Sequence, residues 1–218
     1  MGRGILAASH GIQQAISTPA PPKTTYAKVD WSTHQAIMHE MGQTGNEGKG
    51  YVHTSRAYVI NRYLRNGGDF EDALNAAMGW SKWFTESEAK NTIKQMDGQM
   101  KPLTRNLQGV RFVGSSFLDS IGLPADTSLE TAASILKSRI SLGQAEFSDR
   151  GFSSFSTNVE KNYFTSRPVK INYSISKGAK TIMTANHDES EGILARGTKQ
   201  RITAARVVHG KLEIDVEV

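Results

Sequence analysis

The chain has 218 residues, 38% of them hydrophobic, a net charge of +5 and no cysteine. That length suits one domain, or one domain with an appended helical portion, and the apolar fraction is enough to bury a core. The missing cysteine excludes disulfides, thiolate metal sites and a thiol nucleophile; the modest positive charge, without a basic run interleaved by aromatics, speaks against nucleic-acid binding.

The N-terminus, "MGRGILAASHGIQQAISTPAPPKTT", lacks a signal-peptide core of sufficient length, and Leu6 stands where myristoylation wants Ser or Thr. Residues 1–25 read as a mobile leader closed by the Pro-rich "TPAPP". No apolar stretch approaches membrane-spanning length.

From Asp30 to about Pro102 the period is helical. Asp30 offers a start, with Ile37, Met38 and Met41 at helical spacing. "SRAYVINRYLRNGG" carries Ala57, Ile60 and Leu64 three and four apart and stops at Gly67-Gly68. "DFEDALNAAMGWSKWF" follows, capped by Asp69. "TESEAKNTIKQMDGQM" opens with Thr85 and Glu88 in capping-box spacing. After Leu103 the period changes. "GVRFVG" reads as a strand, "SLETAASILKSRISL" as a helix, and from Gly151 onward the chain is strand-rich, with "GFSSFST", "VKINYSI", "KTIMTA", "GILAR", "QRITAARVV" and "KLEIDVEV". Helices first and an antiparallel-type sheet second make an α+β fold, with a helical part over about 30–102 and a sheet-rich part over about 103–218 of one domain, 26–218.

Four pieces of the second half hold residues that could carry chemistry. Arg111 interrupts the apolar "GVRFVG"; alone it is an edge-strand arginine pointing to water. Ser153, Ser154, Ser156 and Thr157 crowd one strand, usually the mark of a solvated face. Phe164 and Arg167 precede Pro168, where the aromatic alone would be core packing. Glu189 and Glu191 crowd acids against a strand that reads as buried. With six scattered histidines and no pair at ligand spacing, His187 reads as an exposed loop residue and no metal site is expected.

In order these pieces run arginine, Ser-x-Ser, Phe-x-x-Arg-Pro, then Glu-x-Glu before an apolar strand and Arg-Gly-Thr. This resembles the mono-ADP-ribosyltransferase toxins with the Arg / Ser-Thr-Ser / Glu-x-Glu signature, especially the clostridial Rho-modifying exoenzymes and the catalytic components of actin-modifying binary toxins. "YVINRYLRNGG" is similar to the family's Ile-Asn-x-x-Leu-Arg helix, so the resemblance spans roughly Asp30 to Val218. Three departures stand out. Phe155 replaces the middle threonine, Phe112-Val113 follows the first arginine, and Asn186-His187-Asp188 lacks an aromatic that relatives often carry.

The resemblance implies an ADP-ribosyltransferase fold, helices packed on two facing antiparallel sheets around an NAD cleft. It implies NAD as substrate, with no metal. Glu191 would accept a hydrogen bond from the ribose 2′-OH and Ser154 would fix it. Arg111 and Arg167 would hold the pyrophosphate, with Asn61 and Arg65 flanking it, and Phe164 would stack on nicotinamide. Glu189 would orient the acceptor and take its proton; glutamate at that position accompanies arginine modification in the family. The partner implied is a protein of another cell, reached by secretion or injection from a bacterial or phage source, with the chain acting in that cell's cytoplasm as a monomer. Alternatives from other classes are an NAD glycohydrolase of the same fold, a catalytically silent binding module, which the intact Arg111, Ser154 and Glu191 argue against, and an RNA-binding domain, for which no RNP-like aromatic pattern exists.

Overall fold

A computed structural model describes residues 25–52, 55–77, 84–160 and 164–218. Capping chemistry sets the first helices. α1 (Trp31–Glu40) begins where the Asp30 carboxylate accepts the Thr33 amide at 2.8 Å. α2 (Ser55–Arg65) stops before Gly67 and Gly68, which take positive φ values that other residues resist. Asp69 caps α3 (Phe70–Ala76), and Thr85 with Glu88 forms the capping box of α4 (Glu86–Gln99). The leader, over residues 1–24, and the end expected for the third helix, over residues 78–83, lie outside the described residues.

The strands are β1 (Lys101–Pro102), β2 (Leu107–Val113), β3 (Glu146–Ser148), β4 (Ser153–Ser156), β5 (Val169–Ile175), β6 (Lys180–Met183), β7 (Glu191–Leu194), β8 (Lys199–Val208) and β9 (Lys211–Glu217). Between β2 and β3 lie α5 (Phe117–Ser120) and α6 (Leu129–Ser141). The strands form one sheet in the order β1-β6-β7-β4-β2-β5-β9-β8-β3. Where two sheets are expected, the ladder is continuous, but among the described residues its halves are paired only at Val110 and Ser156. Pairing is antiparallel except between β5 and β9, which the long crossover through β6, β7 and β8 brings alongside in the same direction.

The two halves share a core. Phe155, Met183 and Leu194 from one side cluster with Leu107, Ile171 and Ile214 from the other, and α1 and α6 close its ends with Ile37, Met38 and Leu136. A second cluster sets Val59, Ile60, Ile93 and Met96 of α2 and α4 against Phe152, Ile182 and Ile193. β7 therefore lies between two cores: Ile193 faces one and Leu194 the other, and all four of its residues are buried. A one-residue slip would swap both aliphatic side chains between faces, and each is worth about 1.5–3 kcal/mol when buried. That fixes where Glu191, the first residue of the strand, can point.

Candidate active site

The two halves part at the β4–β2 junction, leaving an open cleft lined by Val110, Arg111, Phe112, Ser154, Phe155, Ser156, Phe164, Arg167, Glu189 and Glu191. The structure thus brings together Arg111, Ser154, Glu189, Glu191, Phe164 and Arg167, drawn from four separated pieces of sequence.

Glu191 is 8% exposed. Burial pushes its carboxyl up to about 7, against a lowering hydrogen bond from Ser154; the charge of Glu189 adds to the rise and that of Arg111 opposes it. Two residues earlier, Glu189 lies on the loop. Its carbonyl accepts the Ser156 hydroxyl at 2.6 Å, and its amide donates to Asn186 Oδ1 at 3.3 Å. Between them Ser190 is 1% exposed and takes a φ of 46°, a left-handed conformation that non-glycine residues hold only when their surroundings impose it. This kink turns the chain so that the two carboxylates, at i and i+2, line one cleft from loop and strand.

Arg111 projects from β2 beside two partners that sequence gives no sign of. Asp149 Oδ2 lies 3.9 Å from its guanidinium, and the charge of Arg111 bears on the buried Tyr173 phenol, opposing the rise that burial gives it. Asp149 is 5% exposed and binds Arg65 through two hydrogen bonds, of 2.8 and 2.7 Å. It also accepts the Gly151 amide and the Ser153 hydroxyl. Burial raises the Asp149 carboxyl, but the hydrogen bonds and charge of Arg65 outweigh it and hold the group below the ordinary carboxylate range.

Arg65 and Asn61 stand outside the cleft lining. Asn61 donates to the Tyr51 phenol at 2.6 Å and accepts the Phe152 amide at 2.8 Å. Burial pushes that phenol to about 12. Asn61 and Arg65 therefore dock α2 onto the strand that carries Ser154.

Arg167 donates to the Phe112 carbonyl at 3.0 Å, and its guanidinium lies 4.1 Å from the centroid of the Phe164 ring. Phe164 itself has a φ of 63° and is 56% exposed. One face of the ring carries a cation–π contact at the cleft mouth. Burial, and then the nearby Arg111, hold the Arg167 guanidinium below its ordinary value. Two arginines thus face one cleft with planar donor groups of a kind that suits anions.

Phe155, the departure in Ser-x-Ser, is accommodated by two glycines. A methyl group on Gly109 would lie 2.6 Å from the Phe155 ring, and one on Gly192 2.4 Å from it. Gly192 follows Glu191 directly, so the ring fills a slot between the strands that carry Arg111 and Glu191. Among the described residues no cluster of three or more His, Asp or Glu could hold a metal ion.

A family model described as ADP-ribosyltransferase exoenzyme matches residues 46–218. In fold the chain is similar to an ADP-ribosyltransferase of Clostridium botulinum, at 15% identity and a TM-score of 0.54, covering 89% of this chain and 99% of that one. It is similar also to a protein of S. aureus solved with NAD, at 17% identity and a TM-score of 0.55, covering 90% and 98%. The C3 exoenzyme of Clostridium limosum gives 15%, 0.55, 89% and 97%. No curated protein matches the chain.

Proposed function

The chain belongs to the ADP-ribosyltransferase exoenzyme family, and from that premise we propose that it moves ADP-ribose from NAD to an arginine side chain of a protein in another cell, releasing nicotinamide. The observation that carries this reading is the buried Glu191 carboxyl facing Arg111 and Arg167 across one cleft, with Glu189 beside it. The NAD held by the S. aureus protein of the same fold supports the choice of substrate.

Arg111 and Arg167 bind the pyrophosphate. One face of Phe164 is taken by Arg167, and the other stacks on nicotinamide. The bond between nicotinamide and the ribose breaks with its electron pair leaving on nicotinamide, and positive charge develops on the sugar as in glycoside cleavage. Glu191, ionised, accepts the ribose 2′-OH hydrogen bond and stabilises that charge; Ser154 holds its carboxylate in place. A guanidinium has a pKa above about 12 and attacks poorly while protonated. Glu189 orients it and takes its proton as the new C–N bond forms. Asn61, Arg65 and Asp149 act from behind, fixing the strands that present Ser154 and Arg111.

The experiment follows two products from one sample, nicotinamide and label incorporated into protein or a small guanidine from labelled NAD. Glu189→Gln is expected to stop labelling while leaving much of the slow NAD hydrolysis, because water needs less help than a protonated guanidinium. Equal loss of both would place Glu189 in the NAD site itself; persistent labelling would remove arginine as the acceptor.

A further inference from the structure

His34 lies on α1, 0% exposed, and none of the catalytic steps uses it. Its ring spans the ends of two strands. Nδ1 is 2.9 Å from Thr157 Oγ1, just beyond β4, and Nε2 is 2.9 Å from the Thr184 carbonyl, just beyond β6. Both threonines are bonded to the acidic turn. The Thr157 amide donates to the Ser190 carbonyl at 2.9 Å, and the Thr184 amide donates to the Glu191 carbonyl at 2.9 Å. The strained Ser190 is thus tied on one side through Thr157, and Glu191 on the other through Thr184, with one imidazole bridging the two ties.

The proton positions follow from the partners. A carbonyl only accepts, so Nε2 carries the hydrogen that goes to Thr184. Burial favours the neutral ring and lowers the His34 pKa. Nδ1 then accepts, and the single hydroxyl proton of Thr157 goes to it although the Ser190 carbonyl also lies within 3.1 Å of that oxygen. The helix side is secured as well. Trp31 stacks on His34 with centroids 5.0 Å apart and meets His187 of the acidic loop edge-on at 4.9 Å.

We propose that His34 is a positioning residue for the Glu189–Glu191 turn, bracing it from α1 through Thr157 and Thr184. Resting on the transferase reading, this predicts an effect on turnover and not on cofactor affinity, because the brace touches the turn and leaves Arg111 and Arg167 alone.

The test uses His34→Phe, which keeps the ring and its stacking on Trp31 but loses both hydrogen bonds, and Thr157→Val, which removes one hydroxyl at constant shape. In NAD hydrolysis, kcat is expected to fall roughly tenfold in each, as for loss of one well-placed hydrogen bond, with KM within about twofold. The double variant should be little worse than His34→Phe, since Thr157 acts through the same ring. Amide hydrogen exchange supplies a reading free of turnover: Thr157, Ser190 and Glu191 should exchange faster in His34→Phe, with Ile214 of β9 unchanged. An unchanged kcat in a folded His34→Phe, additive losses in the double variant, or unaltered exchange at Ser190 would each overturn the proposal. Should the parent chain release no nicotinamide, the transferase reading fails while the exchange measurement still decides the brace.

Discussion

Replacing Glu191 by Gln is expected to strengthen the fold while abolishing the chemistry. The carboxyl titrates at about 7 in the folded protein and at 4.5 when free of the fold, chiefly because burial penalises its charge. Between those values the native state keeps a proton that the unfolded chain has released. Stability from this group is therefore fully present below 4.5, is lost as pH rises to about 7, and stays lost above it. At about 1.4 kcal/mol for each tenfold change in proton affinity, the loss is about 3 kcal/mol. The amide of Gln has no proton to release, so the variant should be more stable than the parent by up to about 3 kcal/mol at about pH 8, and the two should converge as pH falls to about 4. For a domain of this size that corresponds to a rise in melting temperature of about 6–12 °C at the higher pH. Denaturant unfolding followed by circular dichroism at both pH values measures it. A variant no more stable than the parent at the higher pH would refute the reasoning, because it would mean that Ser154 and Arg111 offset the burial completely.

Arg111→Ala and Arg167→Ala should each weaken NAD binding about tenfold or more in calorimetry, as expected for loss of a charge-assisted phosphate contact; unchanged affinity in both would leave them without a role in binding. Gly192→Ala should destabilise the chain by about 1–3 kcal/mol through overpacking against Phe155, and the same change in a Phe155→Thr background should cost little. Equal costs in both backgrounds, by thermal melting, would dispose of the slot argument.

Local signals were plain in the sequence. Asp30, Asp69 and the Thr85/Glu88 box start helices where their side chains can accept backbone amides, and β8 and β9 alternate as half-buried strands must. Six residues quoted from separate motifs line one cleft. What stayed hidden depends on contacts between distant segments. β1 and β3 are only two and three residues long, too short for a period to register. The parallel β5–β9 pair leaves no trace in either strand alone. Asp149 looks like any loop aspartate until packing across 84 positions brings Arg65 to it. His34 likewise meets Thr157 only across 123 positions. One signal was present: a bulky Phe155 in Ser-x-Ser and a glycine directly after Glu191, one large and one small residue that meet in space.

Nicotinamide release from NAD by the purified chain, compared with that of Glu191→Gln, bears most directly on the central claim. The account predicts steady release by the parent chain and a loss of about a hundredfold or more in the variant, the cost of removing one contact made to developing charge in the transition state. Near-full release by Glu191→Gln, or none by the parent, would contradict it.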